Sequence, residues 1–94
     1  MKVYIVNTDI LLSDFDIHAN NNYVFSNEKE CEKFYKKVVK KVKDDGKCYF
    51  RNNYIENSEK IYSSFRIYTI KKKNCGMRNM ITVLMKEETV DLFK

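Results

Sequence analysis

The most regular pattern in the chain is a stretch in which apolar and lysine side chains alternate with the period of an α-helix. At intervals of about 100° per residue, one arc of this stretch collects the apolar side chains of Cys31, Phe34, Tyr35, Val38 and Val42. The opposite arc collects Lys29, Lys33, Lys36, Lys40 and Lys43. The pattern predicts an amphipathic helix over residues 27–44, with its apolar arc facing a core.

Both ends of this helix carry sequence signals. Ser26 or Asn27 can act as the N-cap, and with Asn27 as the cap, Glu30 takes the third helical position of a capping-box-like pair. Gly46 follows two aspartates, and a glycine in this place typically adopts the left-handed conformation that ends a helix. We therefore expect the helix to end just before Gly46.

Strand-forming segments flank the helix. Residues 2–8 are apolar or β-branched at both alternating positions, which is typical of a central strand covered on both faces. Turn residues then frame a weak strand over residues 15–19 and a short extension over residues 23–25. The sequence thus predicts two strands before the helix.

Three more strands are expected after the helix. Residues 47–55 and 61–71 are rich in strand formers and should pair as a hairpin through the polar residues 56–60. A turn over residues 72–79 then leads to a strand over residues 80–86. These segments predict an antiparallel meander.

The length of 94 residues allows one domain, and 44% hydrophobic residues supply one core. Gly76 falls in the last predicted turn, and the tail over residues 89–93 is either a short edge strand or a fraying turn. We therefore predict a single α+β domain over residues 1–94, with one amphipathic helix packed on a mainly antiparallel sheet in the order β-β-α-β-β-β.

Charge is distributed unevenly along the chain. The formal net charge is +5, but residues 1–32 carry −4, residues 33–86 carry +11 and residues 87–94 carry −2. Such asymmetry indicates a basic face that can meet phosphate or an acidic protein surface. Because 15 of the 18 basic residues are lysine, the lysine arc of the helix can also be an ordinary solvated face.

The sequence shows neither a membrane or signal segment nor a recognisable cysteine motif. No apolar run approaches the roughly 18 residues of a membrane span, and the N-terminus is unlike a signal peptide, so we expect a cytoplasmic protein that does not contact a membrane. The spacing of Cys31, Cys48 and Cys75 matches neither a disulfide framework nor a zinc site. We expect reduced thiols.

Enzyme motifs are missing from the sequence. There is no phosphate-binding glycine loop, no nucleophile elbow and no H-E-x-x-H zinc motif, and only two glycines are present. Conventional enzyme classes are therefore disfavoured, and we assign no catalytic residue, metal ligand or cofactor.

A polar segment near residue 16 has two interpretations. If it is a strand, Asp14, Asp16 and His18 share one face and can hold a divalent metal or act in acid and base chemistry, with Asp9 as the nearest further carboxylate. The alternative is an exposed edge strand that is kept polar against aggregation.

The predicted hairpin alternates aromatic and basic residues. Tyr62, Ser64, Arg66 and Tyr68 fall on one face, as do Tyr49, Arg51 and Asn53 on the strand before it. Such a face can stack on bases while lysines hold phosphates, or it can pack against the helix. The candidate binding residues are Lys36, Lys40, Arg51, Tyr62, Arg66, Tyr68, Lys71, Lys72 and Lys73.

The first 43 residues also carry a resemblance. The run Met1 to Val6, the element Ser13 to Ile17, and Val24 to Ser26 followed by an acidic-then-basic helix resemble the opening of small uncharacterised proteins of phages and low-GC bacteria. The resemblance implies a phage or mobile-element accessory protein. Many such proteins bind and block a host machine, anti-CRISPR proteins being one group.

Three functional hypotheses follow. The first is an accessory protein that inhibits a host nucleoprotein or defence complex through its basic half. The second is a direct RNA- or DNA-binding regulatory protein that uses the Tyr and Arg face. The third is a ribonuclease of the RelE toxin class, whose small basic sheets are similar to residues 65–85. The expected partner is thus a host protein, a protein-nucleic acid complex, or nucleic acid itself.

Overall fold

The computed structural model describes residues 1–51, 53–62, 65–74 and 78–90, and these residues form one α-helix packed on a five-stranded antiparallel sheet. This architecture confirms the predicted α+β class and the order of strands and helix. The elements are β1 (Lys2–Leu12), a 3-10 turn (Ser13–Phe15), β2 (Ile17–Phe25), α1 (Glu28–Phe50), β3 (Tyr54–Ile61), β4 (Phe65–Lys72) and β5 (Asn79–Thr89). Their order across the sheet is β2-β1-β5-β4-β3.

The start of α1 is where the sequence predicts it. Asn27 has extended backbone angles, and its side-chain oxygen accepts a hydrogen bond from the backbone N–H of Glu30 at 3.2 Å. This bond satisfies one of the amide groups that the first helical turn leaves without a helical partner. Asn27 is therefore confirmed as the N-cap.

The predicted end of α1 is wrong. The helix continues through Gly46 to Phe50, and Arg51, with φ of 50°, takes the left-handed conformation instead. Gly46 is a buried helical residue that lies against Ile70 of β4, and a Cβ atom at Gly46 would lie 2.9 Å from Ile70 Cδ1. The glycine thus allows the close approach of helix and sheet.

The boundaries of the first predicted hairpin are also wrong. Residues 47–50 belong to α1, and β3 runs through the polar stretch 56–60 that was expected to form the turn. The connection to β4 lies further on, where the backbone N–H of Tyr62 donates to the carbonyl of Phe65 at 2.8 Å. Glu56 is accommodated in β3 because it has hydrogen-bond and ionic partners in Tyr68 and Lys43, while Asn57 and Lys60 are exposed.

The strand β1 lies inside the sheet, between β2 and β5, but the prediction that both of its faces are covered is wrong. Val6 and Thr8 are buried under α1, whereas Ile5 and Asn7 on the other face are only half-buried. The strand β2 is longer than expected and includes the residues that were predicted as a separate extension.

The core lies between α1 and one face of the sheet. Buried residues alternate along the central strands, as expected for a sheet covered on one side. The core consists of Val6, Leu12, Cys31, Tyr35, Val42, Phe50, Tyr68, Ile70, Ile81, Val83 and Met85. Within the described ranges, no element covers the opposite face of the sheet.

Several expectations fall on residues outside the described ranges. They concern Ser64, Cys75, Gly76 and residues 91–93 of the tail. Of the remaining thiols, Cys31 is buried and Cys48 is exposed, and both are free.

Candidate nucleic-acid interface

The outer side of α1 is a continuous basic surface, which we call the basic helix face. Residues 33–43 contain six lysines and no acidic residue. Lys36 forms an ion pair with Glu32 at 3.2 Å, but no ion pair within the described part of the chain engages Lys33, Lys37 or Lys40. The exposed members of the basic helix face are Lys29, Lys33, Lys36, Lys37, Lys40, Lys41 and Lys47, and Lys41 lies 3.9 Å from Asp45.

Because these lysines lie opposite the buried stripe of α1, their ammonium groups point into solvent. The stretch from Lys29 to Lys47 is about 27 Å long at the rise of an α-helix. A phosphate chain or an acidic protein surface could therefore lie along it without displacing any packed side chain. Lys36 and Lys40 therefore remain accessible candidates for binding.

Arg66 and Tyr68 do share one face of β4, and of the two interpretations of this face the structure confirms packing against the helix, because α1 covers it. Tyr68 is only 2% exposed, and its hydroxyl donates to Glu56 Oε1 at 3.1 Å. Burial, and then the neighbouring Glu56, raises the pKa of Tyr68. Arg66 Nη1 lies 3.3 Å from Glu32 Oε1. In this structure both residues serve the packing of the helix on the sheet.

Glu56 is held by two partners. Lys43 Nζ lies 3.0 Å from its Oε1, and this contact, together with the hydroxyl of Tyr68, holds the pKa of Glu56 below its usual range. Lys43 also lies 5.9 Å from the centre of the Tyr68 ring. These contacts explain why a glutamate is accommodated on the covered side of β3.

Tyr62 lies apart from the basic helix face. It follows β3, is 49% exposed, and stacks on Phe65 with a ring-centre distance of 4.4 Å. It therefore belongs to the end of the sheet that also holds the first turn of α1, since Tyr62 and Glu28 line the same shallow depression.

The remaining basic candidates gather at the other end of the molecule. Lys71 points to the uncovered side of the sheet, and Lys72 Nζ forms an ion pair with Asp14 Oδ2 at 2.8 Å. The exposed Lys73 donates its backbone N–H to the carbonyl of Asn53 at 3.1 Å. Arg51 is exposed at the end of α1. The structure thus divides the predicted residues between the helix and this end of the sheet.

A cleft at this end joins residues that sequence reasoning placed in separate elements. It has a volume of about 370 Å³. Its lining consists of Asp14, Phe15, Tyr49, Phe50, Arg51, Asn53, Lys72 and Asn79. We call it the polar-end cleft. The predicted trio of Tyr49, Arg51 and Asn53 is wrong as a strand, but all three line the cleft from the end of α1 and the residues just after it.

Phe15 is the residue of the cleft that sequence reasoning missed as a functional candidate. It lies in the 3-10 turn, is 58% exposed, and its ring centre lies 6.2 Å from that of Tyr49. Its position between Asp14 and Asp16 was the available signal, because an apolar residue flanked by carboxylates is poorly suited to a core.

Asp14, Asp16 and His18 do not share a strand face, so the first interpretation of this segment is wrong. The alternative, an exposed polar edge strand, agrees with β2, which holds His18, lies at the edge of the sheet and is mostly exposed. Asp14 belongs to the 3-10 turn and Asp16 has φ of 54°, while His18 lies in β2 with its Nε2 3.2 Å from Asp9 Oδ1. The hydrogen bond from Lys72 lowers the pKa of Asp14. Among the described side chains, no group of three or more His, Cys, Asp or Glu residues is arranged to hold a metal ion.

No described helix is both long and apolar enough to cross a membrane. The fold and its surface together define a small α+β protein with a basic helix and a mixed aromatic and cationic cleft. Comparisons of the chain with protein-family models, with curated proteins and with solved structures found no match. The resemblance of residues 1–43 to small phage proteins therefore stays a prediction.

Proposed function

We propose that this chain is a binding protein of the phage or mobile-element accessory kind that inhibits a host nucleoprotein or defence complex. The observation that carries the proposal is the basic helix face. Lysines without an acidic partner, aligned on the exposed side of a well-packed helix, favour a polyanionic partner. The nucleic acid of a nucleoprotein is such a partner, and an acidic protein surface is another.

The rigidity of the helix supports this function. Cys31 and Tyr35 of this helix are fully buried against the sheet. The lysines therefore project from a fixed backbone, and binding does not have to order the helix first. Association with a polyanion should be fast and should weaken steeply as salt is added.

The test compares two variants that change net charge equally. The first replaces Lys33, Lys37 and Lys40 by glutamine. The matched control replaces Lys2, Lys60 and Lys86 by glutamine, so each variant loses three positive charges from a formal +5. Lys2 lies 2.9 Å from Glu87 and Lys86 2.8 Å from Glu88, and exposed pairs of this kind contribute little to stability.

Each protein is expressed in bacteria with active CRISPR immunity, phage plaques are counted, and tagged protein is used to recover host nucleoproteins. The wild-type chain and the control should restore plaques and recover a nucleoprotein, whereas the helix variant should do neither. If the wild-type chain recovers no nucleoprotein and leaves immunity unchanged, the proposal is wrong. If the helix variant behaves like the control, the basic helix face is not the binding surface.

A second candidate function is direct binding of RNA or DNA by a regulatory protein, and the polar-end cleft favours it. For a single strand, the logarithm of the binding constant should fall with the logarithm of salt concentration by about 0.7 per phosphate contact. Removing Lys33, Lys37 and Lys40 should therefore reduce the slope by up to about 2. A salt-independent affinity would exclude this candidate. No arrangement of the described residues favours the RelE-type ribonuclease, which stays a prediction.

A further inference from the structure

The two exposed rings of the polar-end cleft are held in place by contacts that do not bury them. The backbone N–H of Ser13 donates to the carbonyl of Arg78 at 3.0 Å, and that of Asp14 to Asn79 Oδ1 at 3.3 Å. The ion pair between Asp14 and Lys72 adds a third attachment. The turn that carries Phe15 is thus fixed to the ends of β4 and β5.

The fixed turn leaves Phe15 58% exposed, so its ring is accessible to a ligand, although burial of the ring would stabilise the fold more. Tyr49 is 53% exposed in the last turn of α1. The two ring planes are tilted by 58°. Their ring centres are 6.2 Å apart, whereas a flat ligand held between two rings needs about 7 Å, twice the carbon contact distance of about 3.5 Å. A planar ligand therefore stacks on the exposed faces of these rings and not between them.

Charge in the cleft favours an anion beside these rings. Lys72 is compensated by Asp14, but no described acidic side chain forms an ion pair with Arg51. The C-terminal end of α1 carries a partial negative charge of about half a unit, which the full charge of Arg51 and that of Lys47 outweigh. Asn53 and the buried Asn79 add amide groups to the lining.

We propose that the polar-end cleft binds one unpaired nucleotide of a single-stranded nucleic acid, with its base against Phe15 and Tyr49 and its phosphate at Arg51. Base stacking on aromatic rings beside cationic groups is how proteins hold single strands without sequence preference. The inference rests on the proposed function and makes it more specific. It states that the protein contacts nucleic acid directly and that this nucleic acid is single-stranded.

The size and position of the cleft agree with this ligand. Its volume of about 370 Å³ is at the small end of ligand sites, which suits a single nucleotide. The basic helix face leads to the cleft through Lys47, which lies one turn before Arg51. A strand anchored at the cleft can therefore continue along the lysines of α1.

The experiment measures fluorescence anisotropy of labelled oligonucleotides of about 20 nucleotides, as oligo-dT, oligo-U and a mixed-sequence duplex. The variant is Phe15→Leu with Tyr49→Leu, which keeps apolar side chains but removes both rings. The matched control is Tyr23→Leu, which removes a 41% exposed ring of β2 that does not line the cleft. Thermal unfolding of each variant verifies that it is folded.

The double variant should bind single strands at least about fivefold more weakly, the lower limit expected for one stacked base, and the control should not differ from wild type. Duplex binding should differ from that of wild type by less than twofold in both variants. Stronger binding of oligo-U than of oligo-dT would identify RNA as the source of the nucleotide, and the reverse would identify DNA; equal binding supports recognition of features that both share.

A second variant tests the charge. Arg51→Asn removes the guanidinium, and asparagine tolerates the positive φ at this position. It should lower the salt slope for single strands by about 0.7 and leave thermal unfolding nearly unchanged. An unchanged slope would exclude Arg51 as the phosphate ligand.

The outcomes separate this inference from the proposed function. If the ring variant binds single strands as tightly as wild type while the lysine variant is impaired, the cleft inference is wrong and the basic helix face stands. If the wild-type chain binds neither single strands nor a host nucleoprotein, both are wrong. If it recovers a nucleoprotein yet binds no free strand, only the cleft inference fails.

Discussion

The replacement Gly46→Ala tests whether this glycine is a packing residue inside α1 or the left-handed residue that ends the helix. In the structure Gly46 is buried, and an added Cβ would lie 2.9 Å from Ile70 Cδ1 and 3.1 Å from Ile70 Cγ2. Carbon atoms in favourable contact are separated by about 3.5–4.0 Å. The methyl group of alanine therefore overlaps a side chain that is itself fully buried.

Two effects oppose each other in this variant. Alanine in the interior of a helix is about 1 kcal/mol more favourable than glycine, while overpacking a core typically costs about 1–3 kcal/mol. We expect Gly46→Ala to lower the free energy of unfolding by up to about 2 kcal/mol. A glycine in the left-handed conformation would produce a similar loss, so the single variant cannot distinguish the two roles.

A double-mutant cycle with Ile70→Val distinguishes them. Valine lacks the Cδ1 atom nearest to the added methyl group, although it costs about 0.5–1.5 kcal/mol by itself. In the Ile70→Val background, Gly46→Ala should be neutral or stabilising, which gives a favourable coupling energy of about 1 kcal/mol. Urea unfolding followed by circular dichroism supplies the four free energies.

The reasoning is refuted if Gly46→Ala costs the same in both backgrounds, within about 0.3–0.5 kcal/mol. That result would mean that the methyl group does not meet Ile70, and that the cost arises from the backbone conformation of residue 46. A coupling of the expected size would establish that the helix passes through Gly46 in solution.

Three further predictions concern stability. Asn27→Ala should lower the free energy of unfolding by about 1 kcal/mol, whereas Asn27→Ser should retain it, because serine also caps the first turn; urea unfolding measures both. Tyr68→Phe should lower the free energy of unfolding by about 1 kcal/mol, since it removes a hydrogen bond to the Glu56 carboxylate. The control Tyr62→Phe should change this free energy by less than about 0.5 kcal/mol. Equal losses in the two variants would contradict the hydrogen bond between Tyr68 and Glu56. Among the described residues, three carboxyls have a folded pKa below the ordinary value, so their contribution to stability is present above about pH 4 and is lost as the pH falls further. The midpoint of thermal unfolding should therefore drop below about pH 4. A midpoint that stays constant down to about pH 3 would contradict this prediction. Each of the three carboxyls is held by a lysine, and the pairs are Asp14 with Lys72, Glu32 with Lys36 and Glu56 with Lys43.

The helix illustrates which parts of the fold could be predicted. Its periodicity and its N-cap depend on residues within four positions of one another, so they can be recognised in the sequence. Its end depends on Ile70, which lies in another strand, and a glycine after two aspartates has the same local signature whether it ends a helix or packs inside one.

The strand β3 was misjudged for a related reason. Polar residues 56–60 favour a turn when only composition is considered, but Glu56 gains Lys43 and Tyr68 as partners after the chain folds. Partners that come from α1 and β4 therefore make a polar residue compatible with a strand.

The candidate site, like the fold, could be predicted from the sequence only in part. The basic helix face follows from the lysine arc, and the structure retains it as an exposed surface. The aromatic and arginine alternation on β4 left two interpretations open, because period-two alternation defines two faces but does not state which one the helix covers.

The sequence by itself determined the α+β class, the order of the elements, the start of the helix and its basic outer face, because each depends on local periodicity, capping or charge. Only the tertiary structure decided where α1 ends, that Tyr68 is buried, and that Phe15 meets Tyr49 beside Arg51. These features depend on contacts between residues far apart in the chain, and such contacts arise only when the helix packs on the sheet.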